Sequence, residues 1–362
     1  MTESKRIDAL DAAKGIGILF VVFAHMNMAE PSLTFIYSFH MPLFFILSGM
    51  VFHPEKFGTL KSLVQNRIKT LICPYILFCV LGFLYEIGYS FACKILIDKS
   101  ADFPALVWRF LYSVVWAPYS QKYFTDFNTP LWFVPCLLLV EVMFYLLLKW
   151  EGKGNKKAVI VTTAVLTGIG WLMESGWIPF DFSILPWNFS SACFSLGFFA
   201  IGYYSFPFLK KSFLSEKPSG KTVLILVAAF VLTALFGELN GKVSIGSRVL
   251  HNGFLFYLSG CLGTIGLLAV SLFLQKSSFL KFMGKNSFTV MGSHIIVGNV
   301  VSAIFKFAGR IVLRKEISLD SRDWVEGTIK FFIVLIGTVA FVFFYNWCKN
   351  KRIRRKENGR AA

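Results

Sequence analysis

Long apolar runs recur along this chain and constrain its fold more than any other feature. Ten stretches of roughly 16 to 23 residues carry few or no charges, and a helix rising 1.5 Å per residue needs about 20 residues to cross the hydrocarbon core of a bilayer. With 56% apolar and 16% charged residues, the composition excludes a water-soluble enzyme. The sequence predicts an all-α integral membrane protein, a polytopic bundle of about ten helices near 15–29, 34–52, 71–92, 130–148, 157–173, 184–206, 222–237, 252–274, 287–307 and 327–347.

The net charge of +17 is spread over the loops and does not form one patch. If the N-terminus is cytoplasmic, the inside segments hold 25 of the 37 basic residues, as expected because basic residues resist translocation. Ten spans then leave both termini in the cytoplasm, with the protein in the plasma (inner) membrane. Residues 1–348 are predicted to form a single transmembrane domain and residues 349–362 a basic tail that contacts anionic lipid, and no nucleic-acid partner is expected.

Three further features favour structural roles. The apolar segment 103–119 contains Arg109 and two prolines, so it is predicted to be an interfacial or re-entrant helix. Gly260, Gly263 and Gly266 share one helix face and predict the close approach of a neighbouring helix. The seven cysteines form no CxxC pair and have no histidine at metal-ligand spacing; they are expected to be buried apolar side chains, and no metal is expected.

Polar side chains inside the predicted spans are the strongest functional signal, because each is costly in hydrocarbon unless it faces a partner or a cavity. Lys14 stands at the inner edge of the first span and His25 follows eleven residues later. At about 100° per residue the two share a helix face about 16 Å apart, with Asp11 close to the same line. This predicts a cation at a cytoplasmic mouth and an imidazole deeper in the membrane, although a snorkelling lysine and a core histidine are alternatives.

The second span enters from the outside and places His40 at a depth comparable to that of His25. Pro42 frees backbone carbonyl groups that can line a cavity. The two imidazoles are therefore expected to meet in the outer half of the membrane. A purely structural, hydrogen-bonding His40 is the alternative.

Weaker clusters lie elsewhere in the chain. Trp132 opens the fourth span, where a place in the interfacial aromatic belt is the alternative. Asn286, beside Lys285, starts the ninth span, and a helix N-terminus there could hold a phosphate or carry a plain cap. His294 lies inside that same span. Two more inside-facing cations precede the third span, Arg67 and Lys69.

The order of these motifs resembles the membrane acyltransferase 3 family, in particular its branch related to fucose 4-O-acetylases. The resemblance covers nearly the whole chain. It implies a membrane enzyme of about ten helices that moves an acyl group, usually acetyl, from cytoplasmic acyl-CoA to a hydroxyl of an extracytoplasmic or lipid-linked glycan. The matching segments are Asp11-x-x-Lys14-Gly-Ile-Gly-Ile, Val-Val-x-Ala-His25, Phe39-His40-Met41-Pro42-Leu43-Phe44-Phe45-x-x-Ser48-Gly49, Arg67 to Pro74-Tyr75, Leu131-Trp132-Phe133, and Gly284-Lys285-Asn286-Ser287 to His294.

The resemblance implies that His25 is the catalytic residue. Much of the family has arginine where this chain has Lys14, and lysine offers a point charge in place of a bidentate fork. The residues expected to bind the acetyl-CoA donor are Lys14, Arg67, Lys69 and Lys285. The residues expected to support substrate binding are Asp11, His40, Trp132, Asn286 and His294. The expected partners are acyl-CoA, a glycan acceptor, the lipid bilayer and, as further candidates, polysaccharide-assembly proteins.

Two other functions are consistent with the sequence. Ten spans with intramembrane histidine and lysine could form a glycan flippase or a proton-coupled transporter, although no inverted repeat is apparent. A non-catalytic scaffold for glycan assembly is the other alternative. Consumption of acetyl-CoA by the purified protein separates an enzyme from both.

Overall fold

The computed structural model describes residues 7–26, 28, 30–97, 102–117, 129–151, 155–178, 180–182, 185–314 and 324–361. In this part of the chain there are helices and no β-strand, apart from one isolated bridge between Ser244 and Val249. The α-helices are α1 (Asp8–Ala24), α2 (Glu30–Tyr37), α3 (His40–Met50), α4 (Leu60–Arg67), α5 (Cys73–Ile97), α6 (Phe103–Trp116), α7 (Phe133–Glu151), α8 (Lys156–Glu174), α9 (Phe189–Ser212), α10 (Gly220–Asn240), α11 (Gly253–Leu274), α12 (Ser278–Lys285), α13 (Ser287–Ala308) and α14 (Trp324–Ala361).

Within the described residues, nine helical segments are long and apolar enough to cross a membrane. They correspond to the second through the tenth predicted spans, and the prediction of a polytopic all-α membrane protein is confirmed. The first span corresponds to α1, which has 17 residues. At 1.5 Å per residue α1 reaches about 25 Å, somewhat less than the hydrocarbon core. Nine spans place the two termini on opposite sides of the membrane, and a tenth span formed by α1 would place them on the same side.

The second span is a broken helix rather than a continuous one. α2 ends at Tyr37 and α3 begins at His40, and Pro42 lies in the first turn of α3, where its missing N–H leaves no helical bond unmade. Side-chain groups bond the carbonyl oxygens at the break, which makes the break tolerable away from water. These bonds are Ser38 Oγ to Phe35 O (2.7 Å), His40 Nδ1 to Ile36 O (2.9 Å) and Ser259 Oγ to Ser38 O (3.2 Å).

α1 and α12 pack backbone against backbone at two glycines. A Cβ atom on Gly15 would overlap the carbonyl oxygen of Leu280, and one on Gly284 would overlap that of Asp11. Small residues permit this approach because they carry no side chain at the contact. The contact holds α12, which ends at Lys285, against the first turns of α1.

The glycines of α11 admit neighbouring helices, as predicted, and they admit two neighbours. Gly260 and Gly263 receive residues on either side of His40, and Gly266 receives a ring from α10. This packing fixes the broken helix against α11. The contacts are Gly260 with Pro42, Gly263 with Phe39 and Gly266 with Phe230.

Two peripheral elements complete the fold. α6 is an apolar helix of 14 residues, shorter than a span, and its Phe110 stacks on Phe83 of α5 with ring centroids 4.4 Å apart. Residues 118 and 119 of the predicted 103–119 segment lie outside the described residues. α14 continues without a break from the last span into the basic tail.

Of the cysteines, Cys73 and Cys348 are exposed, which corrects the expectation that all are buried.

Candidate active site

His25 and His40 line one cavity at the C-terminal end of α1. Its walls also include Tyr37 from the end of α2 and Trp132 from the turn before α7. The segment 241–251, which connects α10 to α11, contributes Ser244 and Ile245. The sequence predicts that the two imidazoles meet, and the structure places them in the same cavity.

His25 directly follows the last residue of α1, and its Nδ1 lies 2.7 Å from the carbonyl oxygen of Val21. A carbonyl oxygen can only accept a hydrogen bond, so Nδ1 carries the hydrogen and Nε2 of the neutral ring has a lone pair. α1 is continuous from Asp8 to Ala24, so no break in the helix separates Lys14 from the residue before His25. The cavity therefore contains a proton acceptor whose tautomer is set by the backbone.

Two other histidines make the same bond to the carbonyl oxygen four residues earlier. His40 does so at 2.9 Å and His294 at 3.0 Å. The ring of His294 contacts that of His25, with centroids 5.2 Å apart at 66°, and the ring of His40 lies 4.9 Å from that of Tyr37. Both are buried, His40 at 3% and His294 at 0% exposure. The structure thus groups three imidazoles from α1, α3 and α13.

Trp132 faces the cavity and not the lipid. Its side chain is buried, and Gly246 packs on the indole so closely that a Cβ atom would lie 2.7 Å from the ring. Ser244 and Ile245, two residues from that contact, line the same cavity. The interfacial-belt alternative for Trp132 is therefore wrong, because the indole forms a wall of the site.

Ion pairs and hydrogen bonds fix the segment 241–251 over the cavity. Arg248 pairs with the buried Glu174 at 3.7 Å and with Asp181 at 3.5 Å. Ser191 Oγ lies 2.9 Å from Glu174 Oε1 and 3.3 Å from the carbonyl oxygen of Ile245. Sequence reasoning missed this segment, because nothing local in it indicates contact with the first helices.

The predicted donor-binding cations lie outside the cavity. Lys69 and Lys285 are exposed, whereas Arg67 is ion-paired with Glu141 of α7 and lies 5.4 Å over the ring of Phe57. The Glu141 side chain is 6% exposed, so the positive charge of Arg67 is compensated by a nearly buried carboxylate. Glu141 was also missed, although an acidic residue inside a predicted span is itself a signal.

The Asn286 side chain does not cap the start of α13. Asn286 occupies the N-cap position of α13, but its side chain makes no cap hydrogen bond there. Nδ2 donates to the carbonyl oxygen of Phe282 (2.8 Å), and Oδ1 accepts from Nδ2 of Asn346 on α14 (2.9 Å). The plain-cap alternative is therefore wrong. On α1, which packs against α12, Asp11 is buried and Lys14 is partly exposed.

A family model described as an acyltransferase domain matches residues 7–347, which include every residue of the cavity. The chain belongs to the acyltransferase 3 family. No curated protein and no solved structure matches the chain. The protein is thus a multi-pass membrane acyltransferase.

The cavity of this acyltransferase offers a base with aromatic and hydroxyl groups around it. His25 supplies a lone pair, while Tyr37, Trp132 and Ser244 supply surfaces that can pack on and hydrogen-bond an organic substrate. Among the described residues, no group of three or more His, Cys, Asp or Glu side chains could hold a metal ion. The chemistry that these side chains can perform is acid–base catalysis.

Proposed function

We propose that this membrane acyltransferase moves an acetyl or other acyl group from cytoplasmic acyl-CoA to a hydroxyl of a cell-surface or lipid-linked glycan in the plasma membrane. The observation that carries the proposal is the cavity in which His25, with a set tautomer, lies beside His40 and Trp132. Acyl transfer itself follows from the family. We also propose that the acceptor is of the class used by fucose 4-O-acetylases, that is, a sugar hydroxyl.

In the proposed reaction, His25 is the general base. A sugar hydroxyl is a poor nucleophile until its proton is removed. Nε2 of His25 takes that proton as the hydroxyl oxygen attacks the thioester carbonyl carbon. The new O–C bond forms, the C–S bond breaks, and the departing thiolate of CoA receives the proton from His25. The enzyme returns to its starting protonation state, and no acyl-enzyme is required.

The donor is proposed to approach from the N-terminal end of α1. Acyl-CoA carries several phosphate charges, and exposed cations at a membrane mouth attract such a polyanion. Lys69 and Lys285 are exposed, and α12 holds Lys285 against the start of α1, where Lys14 lies. Arg67 is expected to contribute less to donor binding, because Glu141 already compensates its charge.

The acceptor is proposed to occupy the cavity itself. Sugar rings present both apolar C–H faces and hydroxyl groups. The indole of Trp132 and the ring of Tyr37 can pack on the C–H faces, and the Ser244 hydroxyl can hydrogen-bond a sugar hydroxyl. Asp11, one turn before Lys14, is proposed to hold the lysine and takes no part in the chemistry.

The test uses the purified protein in detergent with radiolabelled acetyl-CoA and a total glycolipid extract. Release of CoA thiol together with label on the glycolipid supports the proposal, and both should be lost in His25→Ala. The matched control is His53→Ala, since His53 lies outside the cavity and pairs with Glu55. A flippase or a scaffold consumes no acetyl-CoA, so absence of turnover in the wild type contradicts the proposal. Mass spectrometry of surface glycans with and without the gene names the acceptor.

A further inference from the structure

His294 has a buried nitrogen that the fold leaves unused. Its Nδ1 is bonded to the carbonyl oxygen of Val290, and its Nε2 is buried with no hydrogen-bond partner among the described residues. Buried polar atoms without partners are rare, because leaving one unpaired is unfavourable. His294 is fully buried and is not a lining residue of the cavity, so contact with substrate does not explain this nitrogen.

The ring of His294 lies against His25, with centroids 5.2 Å apart in an edge arrangement. His25 has the Val21 carbonyl as its hydrogen-bond partner, and no carboxylate is bonded to it in the part of the chain that the structure describes. A general base becomes a cation when it takes a proton, and a cation in an apolar site needs a compensating group. The uncharged imidazole of His294, which lies beside His25, can be that compensating group.

The position of His294 is held by its helix. Ser293 Oγ donates to the carbonyl oxygen of Thr289 (2.7 Å), and a Cβ atom on Gly292 would overlap the ring of Phe78. α13 is therefore packed tightly against Phe78 at this turn. The Nδ1 bond to the Val290 carbonyl oxygen holds the imidazole of His294 on this helix.

We propose that His294 is a positioning residue whose Nε2 lone pair stabilises the imidazolium that His25 forms during acyl transfer. The inference rests on the proposed function, in which His25 is the base. The proton comes from the acceptor hydroxyl and leaves on the CoA thiolate. His294 stays neutral throughout and acts on the reaction through His25.

Three substitutions separate this role from packing. His294→Phe keeps a ring and removes both nitrogens. His294→Asn keeps an amide donor for the Val290 carbonyl and places nothing at the position of Nε2, while His294→Gln reaches that position with its amide group. With acetyl-CoA and the glycolipid extract, we expect the Phe and Asn variants to lower kcat roughly 10- to 100-fold, the range for loss of one polar interaction with a charged group. The KM for acetyl-CoA should be unchanged. Gln should stay within about threefold of wild type.

The controls make each outcome decisive. Thermal unfolding in detergent checks the fold of each variant, and His53→Phe is the matched histidine control. Wild-type kcat in His294→Phe, or an equal loss in the Asn and Gln variants, overturns the inference, and the Asn and Gln pair decides the matter if the Phe variant does not fold. If His25→Ala remains active, the proposed function fails. If His25→Ala is inactive and His294→Phe is active, only this inference fails.

Discussion

The two ends of α1 differ in the charged and titratable side chains that surround them. Near the start of α1, Lys14 is partly exposed, Lys285 of α12 is exposed, and Lys281 of α12 pairs with Asp8 (2.9 Å). At the C-terminal end of α1 lie three imidazoles, each bonded through Nδ1 to the backbone carbonyl oxygen four residues earlier. One end keeps permanent charge where water can reach it, and the other keeps groups that are neutral until they accept a proton.

This difference suggests that donor binding and proton transfer take place at opposite ends of α1. Permanent charges attract a polyanion but are unfavourable deep in a membrane, whereas a neutral imidazole is tolerated there and still accepts a proton. The following predictions test whether the two ends have these separate roles.

The largest effect concerns topology and is all or none. If α1 crosses the membrane, both termini lie in the cytoplasm, and a reporter active only outside the cytoplasm should stay silent when fused after Ala362. An N-terminal tag should likewise be inaccessible from outside. A C-terminus inside with an N-terminus outside would show that α1 does not cross, and the two ends of α1 would then not face opposite compartments.

Removal of the base should act on turnover. His25→Ala is expected to lower kcat by about 10² to 10⁴, the usual contribution of general-base catalysis, with little change in acetyl-CoA affinity. Lys14→Ala is expected to do the reverse and weaken acetyl-CoA binding roughly tenfold. Steady-state kinetics and equilibrium binding of acetyl-CoA check both. If the two variants change the same parameter, the separation between the ends of α1 is wrong.

The Arg67 and Glu141 pair tests whether one of the predicted donor-binding cations is structural. Arg67→Ala leaves a nearly buried carboxylate without its partner and should lower the free energy of unfolding by roughly 3 kcal/mol, the lower end for buried pairs because a fifth of Arg67 is exposed. The double variant Arg67→Met/Glu141→Leu should recover most of that stability. Thermal unfolding measures stability, and acetyl-CoA binding to the double variant decides whether Arg67 also contacts the donor.

The smallest effect concerns the helix contact that holds α12 beside α1. Gly284→Ala forces a methyl group against the Asp11 carbonyl and should destabilise the protein by about 1–3 kcal/mol. The control is Gly88→Ala in α5, where nothing lies within 4 Å of the added atom and a helical alanine should be neutral or stabilising by up to about 1 kcal/mol. Equal unfolding temperatures of the two variants would contradict the tight contact. Weaker acetyl-CoA binding by Gly284→Ala would support the placement of Lys285.

Local periodicity was enough to predict nine of the spans, because a span depends on the length and apolar character of a single helix. The first span was predicted at 15–29, whereas α1 covers Asp8–Ala24. Local periodicity did not predict the break between Tyr37 and His40, where a hydroxyl from α11 bonds the Ser38 carbonyl oxygen. It also gave Trp132 and Asn286 alternatives that were wrong, because Trp132 contacts Gly246 and Asn286 bonds Asn346, both distant in the sequence.

The sequence by itself determined that this protein is a polytopic all-α membrane protein. Only the tertiary structure decided that His294 contacts His25, that the segment 241–251 forms a wall of the cavity, and that Glu141 compensates Arg67. The physical reason is that all spans are similarly apolar, so hydrophobicity places them in the bilayer without specifying their neighbours. Those neighbours depend on close contacts such as Gly15 with Leu280 and Gly263 with Phe39, which exist only once the helices have packed.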